Sequence, residues 1–119
     1  MDVYAGEQLV IRDVEVASTY FKRLRGMIRR PLRALFIPRC NSIHTYFMKK
    51  PIDVVFLDKG LQILHISKNV KPSRLRVFGK AAHVLELDAF LSEQMGLAEG
   101  HQLRFVHGST PRANSPFRY

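Results

Sequence analysis

Apolar residues along this chain fall mostly into short runs rather than into helical spacing, a pattern that favours β-strands. Residues 52–57 (IDVVFL) are apolar at every position except Asp53, which predicts a strand buried on both faces. The turn sequence DKG at 58–60 follows, and Gly60 is expected to supply a positive φ angle there. Residues 61–66 are therefore predicted to return beside 52–57 as the second strand of a hairpin.

The same pattern predicts further strands. They are expected at 8–16 (interrupted at 12–13 by a hairpin turn or a bulge), 74–77, 82–87 and 102–106, with a loop at 67–73. A helix is predicted over residues 18–28, because Phe21, Leu24 and Ile28 recur at helical spacing and form one apolar stripe. Lysine and arginine surround this stripe, so the opposite face of the helix is expected in solvent.

A shorter helix is predicted over residues 89–95, because Asp88 suits the N-cap position and Gly96 suits the position that follows the helix. Together these elements predict one mainly β (α+β) domain over residues 1–107. We expect a compact β-sandwich or half-barrel of about seven strands, with one N-terminal helix and one short C-terminal helix. Residues 108–119 are polar and contain proline, which predicts a flexible C-terminal tail.

Residues 40–48 contain the candidate binding site. Their sequence fits an extended strand, in which successive side chains point to opposite faces. One face would then carry a thiol, a hydroxyl, an imidazole and a phenol beside a methionine, from Cys40, Ser42, His44, Tyr46 and Met48. Because buried polar groups need partners, this face either lines an accessible groove or forms a closed hydrogen-bond network. We predict a polar pocket that is lined by Asn41, Ser42, His44 and Thr45.

The stretch from 40 to 60, CNSIHTYFMKKPIDVVFLDKG, resembles the signature of the DUF192 (UPF0127) family. Three other segments are similar to motifs of that family and follow in the same order: Arg25-Gly26-Met27, Leu35-Phe36-Ile37-Pro38, and Leu85-Glu86-Leu87 with Gly96-Leu97 and Gly100. The first of these has one hydrophobic residue fewer than the family's R-G-L-M segment. The resemblance implies a compact β-rich domain with a short N-terminal helix. It implies no activity, because the family's name records an unknown function.

Arg25 stands in the segment that resembles the family's R-G motif, and we expect it at the rim of the pocket. An arginine at the mouth of a pocket can clamp a carboxylate or a phosphate. Alternatively, Arg25 forms a salt bridge to Asp53 or Glu86. Both carboxylates lie among apolar neighbours, where they must be paired or hydrogen-bonded. Each is therefore either a structural acceptor or a ligand contact.

Composition restricts the class of protein and its partners. The chain has 119 residues, of which 46% are hydrophobic and 24% charged, and this fits a single globular domain. One cysteine excludes an intramolecular disulfide. We expect a cytoplasmic protein without a membrane span, because the sequence has neither an export signal nor a run of about 20 apolar residues. The net charge of +9 favours anionic partners, either a small anionic ligand or nonspecific nucleic acid.

The lone cysteine raises the question of catalysis or metal binding. Cys40 and His44 would lie about 13 Å apart on a strand, so a thiol nucleophile would need another histidine as its base. Scattered histidines and one cysteine give no metal-ligand spacing, and neither a metal site nor a cofactor is predicted. Asp53 and Glu86 would form a hydrolytic pair only if the two carboxylates converged.

Three functions follow as hypotheses. The leading one is a non-enzymatic small-ligand-binding or accessory domain with a polar pocket around residues 41–45. The second is a hydrolase-type enzyme that uses Cys40 or the pair Asp53/Glu86. The third is a nucleic-acid-binding module that uses the basic helix and residues 68–76. The sequence assigns no catalytic residue, and it leaves the oligomeric state open.

Overall fold

A computed structural model of the protein describes residues 1–17, 34–46 and 48–107. These residues form ten β-strands and one short helix: β1 (Asp2–Ala5), β2 (Gln8–Ile11), β3 (Glu15–Val16), β4 (Ala34–Pro38), β5 (Ser42–His44), β6 (Ile52–Leu57), β7 (Ile63–Val70), β8 (Leu75–Val77), β9 (His83–Asp88), α1 (Leu91–Gln94) and β10 (Leu103–Val106). The chain is therefore mainly β, as the sequence predicts. The predicted helix over 18–28 and the predicted tail over 108–119 lie outside the described residues.

The strands form three sheets. Five strands pair in the order β3-β4-β9-β6-β7, three in the order β10-β1-β2, and β5 and β8 form a separate small sheet. The ten strands exceed the number that the sequence predicts, which is about seven. One reason is the break at residues 12–13, where Asp13 has a φ of 57°. It is neither a hairpin turn nor a bulge, because β2 joins the three-stranded sheet while β3 pairs in parallel with β4.

The five-stranded sheet has a hydrophobic core on each face. Strand β6 is buried at every position, as predicted, and pairs antiparallel with both β7 and β9. Val55 and Leu57 belong to a first cluster, which also contains residues of the three-stranded sheet and of α1. Val54 and Phe56 belong to a second cluster, which contains Ile43 of β5. Each such side chain stabilises the folded state by roughly 1.5–3 kcal/mol when it leaves water. Because β6 contributes side chains to both clusters, it is the central strand of the fold.

The hairpin of β6 and β7 forms as predicted, but its turn differs in one detail. The Asp58 carboxylate holds the turn by accepting the N–H groups of Gly60 and Gln62, each at 2.9 Å. The positive φ lies at Leu61, at 71°, and not at Gly60 as the sequence predicts. An aspartate that bonds the backbone two residues on can fix a turn by itself, which removes the need for a left-handed glycine at this point.

Strand β7 is longer than the hydrophobic pattern predicts. It continues through residues 67–70, so the loop predicted over 67–73 is wrong in its first half. Asn69 has a φ of 52°, and the register between β6 and β7 shifts at this point. Asparagine tolerates the left-handed conformation better than most residues. A bulge at Asn69 therefore lets the pairing continue through a polar segment.

Helix α1 is shorter than predicted and has a different N-terminus. Asp88, the predicted N-cap, is the last residue of β9, and the N-cap position is occupied by Phe90. Phe90 has a φ of 71° and makes no side-chain cap hydrogen bond. The predicted C-terminus is confirmed, since Gly96 has a φ of 71° and donates its N–H to the carbonyl of Glu93.

Candidate functional site

A cleft of about 470 Å³ opens where strand β4 ends and the chain passes into β5. Its lining residues come from the β4–β5 connection and from the turn before β9; they are Arg39, Cys40, Asn41, Ser42, Ala81 and Ala82. We call it the Cys40 cleft. Small-molecule sites in proteins have volumes of roughly 300–1,000 Å³. The cleft is therefore large enough for a metabolite, and it contains two of the predicted pocket residues, Asn41 and Ser42.

Main-chain hydrogen bonds fix the two walls of the Cys40 cleft relative to each other. The N–H of Cys40 donates to the carbonyl of Ala82 at 3.0 Å, and the N–H of Phe78 donates to the carbonyl of Asn41 at 2.9 Å. Arg39 has a φ of 54°, which is uncommon for a residue other than glycine. Arg39 lies directly after the last residue of β4, and its side chain is exposed.

Cys40 is a hydrogen-bonded core residue at the edge of the cleft. Its side chain is 8% exposed and packs in the second cluster. Its Sγ donates to the carbonyl of Ser42 at 2.9 Å. Reactive cysteines lie in electropositive and partly exposed surroundings where the thiolate is favoured. A thiol that donates its proton to a carbonyl within the core is instead a structural group.

His83, the first residue of β9, lies beside the cleft and acts as a hydrogen-bond acceptor. Its Nδ1 accepts the N–H of Arg39 at 3.0 Å, and its ring centroid lies 5.4 Å from that of Phe36. Burial lowers the pKa of His83 below the ordinary 6.5, the charge of Arg39 lowers it further, and Asp58 partly opposes both effects. Phe36, which contacts the His83 ring, packs against the first cluster, whereas Cys40 lies in the second. His83 and Cys40 therefore do not form a nucleophile–base pair.

The small sheet presents an exposed surface next to the Cys40 cleft. Residues that are directly paired in antiparallel strands point to the same side, so His44 shares a face with Leu75, and Ser42 shares it with Val77. The Tyr46 ring stacks on the His44 ring, with centroids 4.7 Å apart and an interplanar angle of 20°. We call this surface the outer face; its members are Ser42, His44, Tyr46, Leu75 and Val77.

The strand predicted over residues 40–48 is wrong beyond its centre, because only Ser42–His44 form a strand. Cys40 and Met48, which alternation assigns to the face of His44, are buried in the second cluster. Asn41 is exposed at the cleft, although alternation assigns it to the side of the buried Ile43. The predicted polar face therefore divides into two surfaces, the cleft and the outer face, which share Ser42.

Thr45 directly follows strand β5 and is fully buried. Its hydroxyl donates to the carbonyl of Lys71 at 2.7 Å and accepts the N–H of Arg74 at 2.9 Å. Its own N–H donates to the carbonyl of Arg74 at 2.9 Å. These bonds tie the end of β5 to the loop over 71–74, which is why the chain does not continue as a strand. Thr45 therefore connects the small sheet, which carries the outer face, to the loop over 71–74.

Asp53 is 0% exposed and accepts three hydrogen bonds. Its Oδ1 accepts the N–H of Asn69 at 2.9 Å, and its Oδ2 accepts the N–H and the hydroxyl of Ser92 at 3.1 and 2.6 Å. Hydrogen bonds to an ionised acceptor are stronger than neutral ones. Because Ser92 lies in the first turn of α1, Asp53 replaces the N-cap side chain that this helix lacks. Asp53 thus joins β6, β7 and α1.

Asp53 and Glu86 point to opposite faces of the five-stranded sheet. In the pairing of β6 with β9, Asp53 lies opposite Leu87, and Val54 lies opposite Glu86. Paired residues share a face and successive residues alternate. Leu87 belongs to the first cluster and Val54 to the second, so Glu86, 3% exposed, is separated from Asp53 by the sheet itself. The structure does not bring these carboxylates together as a hydrolytic pair.

Arg25, the predicted cation at the pocket rim, lies outside the described residues, and its role stays a prediction. Arg39, which is not among the predicted site residues, supplies a cation at the Cys40 cleft. Its position between Pro38 and Cys40, at the end of a strand, is the signal that could have found it. Ala81 gives no such signal, because its place in the cleft depends on the pairing of distant segments.

The remaining chemistry of the described chain is limited. Within residues 1–17, 34–46 and 48–107, no three or more His, Cys, Asp or Glu side chains are grouped to hold a metal ion. His65 faces the Glu99 carboxylate at 3.5 Å and stacks on Phe78, with ring centroids 5.4 Å apart. In the part of the chain that is described, no helix is long and apolar enough to cross a membrane.

Comparisons with known proteins agree on one family. Residues 2–105 match the family model of DUF192, described as "Uncharacterized ACR". A UPF0127 protein of Pyrococcus abyssi is 35% identical over 101 residues, which cover 78% of this chain and 86% of that protein. A UPF0127 protein of Thermococcus sibiricus is 32% identical over 99 residues, 76% of this chain, and the match spans 64% of that relative's length.

A solved structure also resembles this fold. It is a protein of unknown function from Novosphingobium aromaticivorans, with a TM-score of 0.73 and 18% sequence identity. The match covers 87% of this chain and 82% of the other. At this level of identity the likeness concerns the fold alone.

Proposed function

Because the chain belongs to the DUF192 (UPF0127) family, whose name assigns no activity, we propose its function from the geometry of the Cys40 cleft. The protein is a non-enzymatic binding domain that holds a small anionic ligand in this cleft. The observation that carries the proposal is the combination of a volume of about 470 Å³ with Arg39, Asn41 and Ser42 in its lining. A few polar groups in a concave site are what orients a small ligand.

The lining residues favour an anion. A guanidinium offers five N–H donors in a planar fork that suits carboxylates and phosphates. An asparagine amide and a serine hydroxyl add neutral donors, and none of the six lining residues is acidic. The net charge of +9 raises the local concentration of any anion near the protein.

A binding role fits this cleft better than catalysis. The Cys40 thiol donates to a carbonyl, and His83 uses its Nδ1 as an acceptor for a backbone N–H. The buried carboxylates Asp53 and Glu86 point to opposite faces of the five-stranded sheet. The thiol and the carboxylate pair, on which the two forms of the hydrolase hypothesis depend, are therefore hydrogen-bonded within the fold or separated by the sheet. His44 lies on the adjoining outer face, and Arg25 stays a prediction as a second cation at the rim.

The test is a thermal-shift titration of the full chain with three anionic probes: inorganic phosphate, citrate and a nucleoside monophosphate. We expect at least one of them to raise Tm in a saturable way, since a ligand that binds only the native state stabilises it. Arg39→Gln and Asn41→Ala are expected to reduce the shift. Arg12→Gln removes an exposed arginine at the distant turn between β2 and β3 and is expected to leave the shift unchanged.

Two outcomes would overturn the proposal. One is an equal thermal shift for the wild type, Arg39→Gln and Asn41→Ala, because the ligand would then bind elsewhere. The other is alkylation of Cys40 by iodoacetamide that is faster in the native protein than in the urea-denatured chain. Such an activated thiol would favour the hydrolase hypothesis instead.

A further inference from the structure

We propose that the outer face, together with the cations around it, binds single-stranded nucleic acid. This inference concerns a surface other than the interior of the Cys40 cleft and does not depend on the ligand proposed for that cleft. It rests on three observations, which are the exposure of apolar and aromatic side chains, the distribution of charge, and the shape of the small sheet.

The outer face concentrates the exposed apolar side chains of the described chain. Five large hydrophobic residues are exposed in the described part of the chain, and three of them lie on the outer face: Tyr46, Leu75 and Val77, at 53%, 55% and 60%. The register of β5 with β8 brings His44 beside Leu75, and Tyr46 stacks on His44. A contiguous patch of this kind marks an interaction surface more often than scattered apolar residues do. Its planar rings are groups on which bases can stack.

The cations lie at both ends of this patch. Lys49, Lys50, Lys71 and Arg74 are exposed near the His44–Leu75 end, where Thr45 bonds the loop over 71–74. Arg39 and Lys80 are exposed near the Ser42–Val77 end, next to the Cys40 cleft. No aspartate or glutamate occurs between residues 34 and 52 or between 59 and 85. The patch therefore carries positive charge at its two ends without acidic residues from its own segments.

The arginine of the 71–74 loop is held by its own backbone. Nη1 of Arg74 donates to the carbonyls of Pro72 and Ser73, both at 3.3 Å. These contacts hold the guanidinium in place while its other N–H groups remain in solvent, so less side-chain entropy is lost when a phosphate binds. On β8, Nη1 of Arg76 donates to the carbonyl of Leu75 at 2.8 Å. Charge at this edge disfavours the addition of a peptide strand, which points to the face rather than the edge.

Single-stranded nucleic acid fits this arrangement better than a duplex or an acidic peptide does. In a duplex the base faces are stacked inside, where Tyr46 cannot reach them. Strands β5 and β8 are three residues each and offer no helix for the major groove. A peptide would need acidic residues at two separated points and apolar residues between them. A single strand supplies phosphates and base faces along its whole length.

The experiment measures fluorescence anisotropy of a labelled oligo(dT) of about 12 nucleotides, within the range of roughly 4–16 per site, titrated with the full chain at several salt concentrations. Tyr46→Ala removes the exposed ring and is expected to weaken binding about tenfold. Phe90→Ala is the matched control, because Phe90 is an aromatic residue of 56% exposure at the N-terminus of α1 and is not part of the outer face. It is expected to leave the affinity unchanged.

A second pair of variants tests the phosphate contacts. Lys50→Gln and Lys71→Gln are each expected to weaken binding and to reduce the slope of log K against log salt by about 1. Arg12→Gln, at the turn between β2 and β3, is expected to leave both quantities unchanged. Unfolding of each variant in urea confirms that it is folded at the temperature of the assay.

Three results would overturn the inference. They are equal affinities of Tyr46→Ala and Phe90→Ala for oligo(dT), equal affinity of the wild type for the duplex of the same length, and equal affinity for an oligoglutamate peptide. Either of the last two results would mean that the surface binds polyanions through nonspecific electrostatic attraction. Failure here leaves the cleft proposal intact, because that proposal is tested with small anions and with Arg39→Gln and Asn41→Ala.

Discussion

The central strands of the five-stranded sheet and the small sheet of β5 and β8 differ in how many of their side chains are engaged within the protein. In β6 every side chain is buried, and Asp53 accepts three hydrogen bonds from neighbouring elements. In the small sheet only one face is buried, through Ile43, while Leu75 and Val77 are exposed. The first region therefore carries the stability of the fold, and the second can interact with other molecules.

The same contrast divides the family signature. Residues 41–46 and 51–53 are close in sequence, and both contain polar side chains among apolar ones. The second segment supports the fold through Asp53. The first presents Asn41, His44 and Tyr46 towards the surface, and of its polar side chains it buries only Thr45. A shared signature is therefore no evidence that all of its polar residues share one role.

The largest expected effect compares two leucines. Leu57→Ala in β6 is expected to lower the free energy of unfolding by about 2–5 kcal/mol, because it leaves a cavity in the first cluster. Leu75→Ala on the outer face removes a side chain that is 55% exposed and is expected to change it by less than about 0.5 kcal/mol. Urea unfolding measures both. Similar losses for the two variants would contradict the division between the sheets.

Asp53→Asn is expected to lower the free energy of unfolding by about 2–3 kcal/mol. The amide that replaces one carboxylate oxygen is a donor and would face the N–H of Asn69 or that of Ser92. The matched control is Asp13→Asn, at an exposed position with positive φ that asparagine tolerates. If Asp53→Asn were as stable as this control in urea unfolding, the structural role of Asp53 would be wrong.

Thr45→Val is expected to lower the free energy of unfolding by about 1–2 kcal/mol, because it leaves the N–H of Arg74 and the carbonyl of Lys71 without the hydroxyl. Hydrogen exchange at the Arg74 amide is expected to accelerate more than exchange in β6. Thr45→Ser keeps the hydroxyl and should retain slow exchange at Arg74. If Thr45→Val instead accelerated hydrogen exchange equally throughout the chain, the small sheet would not open independently of the five-stranded sheet.

The smallest expected effect is the pH dependence that comes from His83. Its pKa in the folded state lies below the ordinary 6.5, so the unfolded state binds more protons in the interval between the two values. Stability is therefore expected to fall as the pH drops through 6.5, and His83 adds no further loss below its folded pKa. Urea unfolding at a series of pH values, compared with His83→Gln, isolates this part. An identical pH profile in the variant would count against the lowered pKa.

The parts of the fold that the sequence predicts are those with a local signal. The β6–β7 hairpin and β9 follow from apolar runs and a turn sequence, and the structure confirms them. The role of Asp53 depends on donors that are 16 and 39 residues away, at Asn69 and Ser92. The end of β5 depends on bonds from Thr45 to the loop over 71–74. Such partners are set by sheet register, which periodicity in one segment does not specify.

The candidate site is predictable to a similar degree. Polar side chains at Asn41 and Ser42 mark the cleft because they stand between the apolar run at 35–37 and the buried Ile43. Arg39 and Ala81 reach the same cleft through a left-handed turn and through the pairing of Cys40 with Ala82. The place of Ala81 has no signal in the local pattern, and Arg39 is marked only by its position at the end of a strand.

The capping of α1 by Asp53 has a consequence for the order of folding. Isolated helices shorter than about 12–15 residues are marginal in water because nucleation is costly, and α1 has only four residues. Its first turn gains an acceptor only when β6 is already in place to present the carboxylate. We therefore expect the helix at residues 91–94 to form after the central strands have assembled, as a product of that assembly and not as its nucleus.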